Sequence, residues 1–157
     1  MKFRSLIALA LGGSSVACGS GASTGGLDAD RVYSISLTPG AEIPAPKPTT
    51  ASGAALILAY PDKIDFQLQA SNITAITMAH IHSGAPGVAG PIVVTLFQPA
   101  SPTGPINGLF ASGSLSSGSL PQGVTVASLT SLLAGGNAYV NVHTSANPTG
   151  EIRGQIR

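Results

Sequence analysis

The chain has 157 residues, enough for one domain built on one core. Charged residues make up 8% and the formal net charge is +1 with no basic cluster, which excludes the electrostatic footprint of a nucleic-acid binder. A hydrophobic fraction of 43%, with twenty glycines and twelve prolines, excludes disorder and points to many short strands joined by turns.

Lys2 and Arg4 precede the apolar run Leu6–Leu11, which gives way to Gly12-Gly13-Ser14-Ser15-Val16-Ala17-Cys18. Basic, apolar and small segments in that order predict a secretory signal over residues 1–17. The apolar run is too short to span a membrane. Two processing routes fit. Ser15-Val16-Ala17 suits ordinary small-x-small cleavage. Cys18 resembles the acylated residue of bacterial lipoproteins, although Ser15 stands where their pattern usually has an aliphatic residue. Cys18 is the single cysteine and has no intramolecular disulfide partner. Lipidation of Cys18 is therefore the expectation, giving an exported protein whose lipid anchors it to a membrane of the bacterial cell envelope, facing the periplasm or the cell surface. Loss of the signal removes Lys2 and Arg4 and leaves five basic residues against six acidic ones. Residues 18–30 are mostly small and polar and read as a flexible tether, with the domain over 31–157.

Val32–Leu37 is strand-like. The segment 38–52 carries Pro39, Pro44, Pro46 and Pro48 and reads as a loop, because proline supplies no ladder donor. Gly53–Tyr60 is an apolar run of strand length, and Pro61-Asp62-Lys63 is a turn. Ile64, Phe66, Leu68 and Ala70 then alternate with Asp65, Gln67 and Gln69, so the two runs predict a hairpin with one wet face. Asp62 and Asp65 read as turn and wet-face residues. Further strands are predicted over Ile73–His82, Ile92–Phe97, Gly108–Leu115 (weakly patterned), Asn137–Thr144 and Gly150–Arg157. One short helix is predicted near 125–134. Thr125 can cap it, Val126, Leu129, Leu132 and Leu133 line one face, and Gly135-Gly136 can end it. The sum is an all-β fold, a Greek-key sandwich or barrel of about eight short strands, with no internal repeat.

The chemistry sits in Ala79-His80-Ile81-His82. Residues two apart on a strand share a face, so His80 and His82 project together. His143 lies in a similar setting, Tyr139-Val140-Asn141-Val142-His143-Thr144. Should its strand lie beside the first, three imidazoles converge, a donor set suited to copper or zinc that leaves one position open. Asn141, Glu151 or backbone carbonyls are candidates to fix the rings. The alternative is that the histidines merely hydrogen-bond strand ends and loops. Gly84, Gly87 and Gly90 shape the turn after His82 and lack the companions of a phosphate loop. Glu151 and Arg153 share a face of the last strand and are expected to form a carboxylate–guanidinium pair. The many serines lie in loops and no hydrolase triad is visible, so no catalytic residue is assigned. Asn72-Ile73-Thr74 is a formal glycosylation sequon with no expected use beside a bacterial-type signal.

Ala79-His80-Ile81-His82 with Gly84, Gly87 and Gly90-Pro91-Ile92-Val93-Val94 resembles the central motif of the CHRD domain, known from chordin and from bacterial exported proteins. Tyr139–Thr144, followed by Asn147-Pro148-Thr149-Gly150-Glu151-Ile152-Arg153-Gly154-Gln155-Ile156, resembles its closing motif. The resemblance covers about 32–157 and implies an all-β domain, with little about activity. The His-x-His strand, the glycine-rich loop and the late histidine are also similar to the copper half of copper/zinc superoxide dismutases. That family uses four copper-ligating histidines, and this chain has three histidines in all. Two expectations follow: a non-enzymatic envelope module presenting loops to a protein or glycan partner, or a copper- or zinc-binding protein, either a carrier or a minor oxidoreductase, using His80, His82 and His143.

Overall fold

Period-2 alternation decides most of the architecture. In this computed structural model, which describes residues 29–157, the elements run β1 (Arg31–Leu37), β2 (Ser52–Ala59), β3 (Lys63–Ile73), β4 (Ile76–Ser83), β5 (Ile92–Phe97), β6 (Ile106–Ser116), α1 (Val126–Ala134), β7 (Ala138–Thr144) and β8 (Ile152–Ile156). The predicted signal, Cys18 and the tether as far as residue 28 lie outside the described residues.

The strands form two antiparallel four-stranded sheets, β1-β2-β3-β6 and β5-β4-β7-β8, which make a β-sandwich. β6 returns beside β3 and β7 beside β4, the connectivity of a Greek key. The inner faces supply Leu37, Ile57, Ile64 and Leu68 from one sheet and Ile76, Ile81, Val140 and Ile152 from the other, all fully buried. Helix α1 carries the chain from the first sheet to the second and packs on β3. Thr125 Oγ1 accepts from the Ser128 N–H while Ser128 Oγ accepts from the Thr125 N–H, a reciprocal cap that satisfies two end donors.

The β3–β4 and β6 boundaries differ from expectation. β3 runs on to Ile73 and β4 starts only at Ile76, because Asn72 and Ala75 both adopt left-handed backbone (φ 55° and 54°) and the chain turns there. β6 is a full eleven residues, although Gly108 and Gly113 blur its pattern. Pairing with the long β3 supplies the register that its own side chains do not.

One lateral side of the sandwich is closed by β1 and β8. Thr38 and Arg153 exchange backbone hydrogen bonds across it at 2.9 and 3.1 Å. Gly154 permits this approach, since a Cβ there would collide with the Ser36 carbonyl and press on Ile35 and Leu37. Gly154→Ala is expected to lower stability by about 1–3 kcal/mol through overpacking, measured by denaturant unfolding. A change below about 0.5 kcal/mol would show that β1 and β8 separate without cost.

Candidate metal centre

A sandwich ordinarily leaves the outer face of an antiparallel sheet in water. Here β7 is buried at all seven positions, on both faces. Val140 and Val142 point into the core, while Tyr139, Asn141 and His143 point outward beneath loops. Pairing aligns His80 with Asn141, His82 with Tyr139 and Met78 with His143 across β4 and β7, and Asn141 with Arg153 across β7 and β8. The outer face therefore carries a contiguous polar layer, His80, His82, Tyr139, Asn141, His143 and Arg153, all buried.

The three predicted histidines do come together. One nitrogen from each lies within 4.8 Å of the other two. His80 Nδ1 and His143 Nε2 are 3.1 Å apart. The outer nitrogens are tied to carbonyls: His82 Nδ1 donates to Gly90 O at 2.8 Å, and His143 Nδ1 donates to Pro148 O at 3.0 Å. Each tie fixes a tautomer and leaves an Nε2 lone pair facing inward. His82 Nε2 is buried and has no hydrogen-bond partner among the described residues.

The local sequence explains both ties. Gly90 sits so close to Ser83 O that a Cβ would overlap it, and Gly87 turns the loop with φ 78°. The loop is then pinned down by Arg153 Nη2 on Val88 O (2.8 Å), by Gln155 Nε2 on Gly84 O (2.9 Å) and by the Gly90 N–H on the Tyr139 hydroxyl (3.1 Å). His82 stacks on Tyr139 with centroids 4.8 Å apart, and the Arg153 guanidinium lies 3.4 Å from the same ring's centroid. At those distances the two must occupy opposite faces of the phenol.

Glu151 secures the second tie. Its carboxylate accepts from Thr49 Oγ1 at 2.6 Å and from Thr144 Oγ1 at 2.5 Å, while the Lys47 N–H donates to Asn147 Oδ1. Burial pushes this carboxyl up, but hydrogen bonds from Thr144, Thr49 and Asn147 outweigh it and hold the group below the ordinary range. The expected Glu151–Arg153 ion pair does not form. Glu151 precedes β8, in a bend after Gly150, and its two hydroxyl donors satisfy it. Arg153 is taken up by Val88 O and the Tyr139 face. Asn141 likewise is not the hydrogen-bond partner that fixes the rings; backbone carbonyls fill that role.

Sequence reasoning missed Glu42. It lies in the proline-rich segment, where no periodicity marks it, and its one visible signal is being the sole acidic residue there. Its carboxyl is 5% exposed and packs against Gly150, where a Cβ would displace it. Burial raises it to about 7, against the Arg153 charge, the Ile43 N–H and the Asn141 amide, which pull it down. A surface cleft of about 580 Å³ between β1 and β8 reaches Arg153 but not the imidazoles.

All three rings are held neutral. Burial, then the fields of His143 and His82, lower His80 to about 4; burial is also the leading cause for His82 and His143. As the pH falls below the ordinary histidine value of 6.5, the unfolded chain takes up protons before the folded one does. The histidine contribution to stability is thus present above 6.5 and lost as the pH falls toward about 4. Glu42 acts oppositely: folded near 7 and ordinarily 4.5, it favours the native state below 4.5 and loses that effect as the pH rises to about 7. Thermal melts of metal-free Glu42→Gln between pH 4.5 and 7 should therefore gain stability with rising pH more steeply than wild type. Parallel profiles would exclude an opposing Glu42 contribution.

No curated protein and no solved structure matches the chain. A family model does. Residues 33–156, which take in both histidine strands and the closing β7–β8 hairpin, match the model described as the CHRD domain, and the chain belongs to that family.

Proposed function

We propose that this CHRD-domain protein is an exported, lipid-anchored envelope module that holds a copper or zinc ion between His80, His82 and His143. The observation that carries this reading is the convergence of the three imidazoles with His82 Nε2 buried and unpartnered. A purely structural histidine cluster would satisfy that lone pair. Two donors about 2 Å from a tetrahedral ion stand roughly 3.3 Å apart. The observed spacings, 3.1 Å for one pair and at most 4.8 Å for the others, approach that arrangement. Neutral imidazole suits copper and zinc alike, and the divalent series favours copper where both are present. The carbonyl ties on His82 and His143 supply the outer hydrogen bonds that ligating histidines use. The fourth position stays open to an exchangeable ligand.

Anchoring rests on the sequence alone: a basic, apolar and small N-terminal pattern ending at the single cysteine, Cys18. It would display the loops above the sandwich to a protein or glycan partner in the envelope.

Calorimetric titration of the full-length protein with Cu(II) and Zn(II) should find one tight site per chain. The triple variant His80→Ala/His82→Ala/His143→Ala should bind at least about a hundredfold more weakly. Equal, weak binding by both proteins would overturn the metal reading. Cell fractionation should move Cys18→Ala out of the membrane fraction; a variant retained there would remove the lipid anchor.

A further inference from the structure

We propose that Met78 supplies a thioether as the fourth ligand of the ion and makes the site selective for cuprous copper, Cu(I), over divalent metals. This rests on the three-histidine metal reading and adds which ion that site selects.

Placement comes first. Met78 and Met1 are the two methionines of the chain, so Met78 is the one in the domain. It stands on β4 two residues before His80 and directly opposite His143 on β7. Those two histidines are the tightest pair of the site, with His80 Nδ1 3.1 Å from His143 Nε2. Directly opposed residues of an antiparallel pair share a face, with Cβ atoms about 5 Å apart. Met78 therefore shares the outer face with all three imidazoles and flanks the two closest ones.

An irregularity in β4 puts it there. Ile76 pairs with Thr144 and is fully buried in the core, so unbroken alternation would turn Met78 inward as well. The register shifts between Ile76 and Met78, and the extra residue, Thr77, sends Met78 outward. Bulges re-aim side chains in this way, often beside functional sites. An apolar side chain gains free energy by leaving water. Yet Met78 stays half-buried and belongs neither to the core nor to the partly buried residues packed on it.

The donor set then points to one ion. A thioether is a soft donor that suits Cu(I). Zinc draws on thiolate, imidazole and carboxylate. Among the described residues, no carboxylate or thiolate joins the three histidines within ligating distance. Three imidazoles and a thioether carry no charge, which suits a singly charged ion. The same sheet face also holds the Arg153 guanidinium, buried and with Nη1 unpartnered. Glu42 offsets part of that charge without contact, since the one salt bridge among the described residues is Lys63–Asp65. What positive field remains repels Cu(I) less than a divalent ion. The exchangeable ligand for which the imidazoles leave room is, for Cu(I), the chain's own sulfur.

The test uses full-length protein carrying Cys18→Ala in every arm, so that no thiol competes. Cu(I) affinity is measured without oxygen by competition with bathocuproine disulfonate, and Zn(II) affinity by calorimetry. Met78→Leu keeps the size of the side chain and removes the sulfur. It should weaken Cu(I) at least about tenfold, the smaller loss seen when even an outer partner of a metal ligand is removed, and leave Zn(II) unchanged. X-ray absorption at the copper edge should show one sulfur neighbour that disappears in Met78→Leu; on the parent protein this reading needs no folded variant. Equal Cu(I) affinity in the two proteins, or no sulfur at the copper, would overturn the role of Met78 and leave the three-histidine site standing. A parent protein that binds Zn(II) but not Cu(I) would do the same. One that binds neither would overturn both.

Discussion

Two hydrogen bonds from imidazole to backbone carbonyl, on Gly90 and Pro148, govern the arrangement of this domain's outer sheet face. Burying polar groups costs free energy unless each finds a partner. The domain buries a whole layer of them where a sandwich usually admits water. The Ser83–Ile92 connection and the β7–β8 turn can cover the layer only because they present carbonyls at the two places where ring nitrogens need acceptors. Those same acceptors determine where the remaining lone pairs point. Structural satisfaction and chemical competence are thus consequences of one placement.

Two buried carboxyls near the layer show how neighbours decide the state of similar groups. Glu151 and Glu42 are both nearly inaccessible. Glu151 has two hydroxyl donors and stays ionised, so it serves as a clamp between the proline-rich segment and the β7–β8 turn. Glu42 has an unpartnered oxygen and is pushed toward the protonated form. Their contrast follows from loop geometry: Thr49 and Thr144 reach the first carboxyl, and among the described residues no hydroxyl reaches the second.

Much of this was legible in the residues. Ile64 to Ala70 alternate cleanly and form the strand they predict, and the cap at Thr125 and the stop at Gly135 bracket the helix. The His-x-His spacing specified a shared face. It could not specify that β7 would pair with β4, because that contact joins segments some sixty residues apart and depends on the whole Greek key. Glu42 was invisible for a related reason: a loop residue acquires its environment from whatever the loop is laid against, here Gly150 and the outer face of β7. The Glu151–Arg153 expectation failed on a local point. Alternation places two residues on one face only within a regular strand, and Glu151 sits in the bend just before it.

The loop after β4 has one more consequence, and it is kinetic. Arg153, Gln155, Tyr139 and His82 each hold it by a separate bond. Lifting this loop from the imidazoles requires those bonds to open together, a local unfolding event with its own free energy. How fast a group from solvent exchanges on that side follows the opening, independently of how strongly the imidazoles hold what is inside.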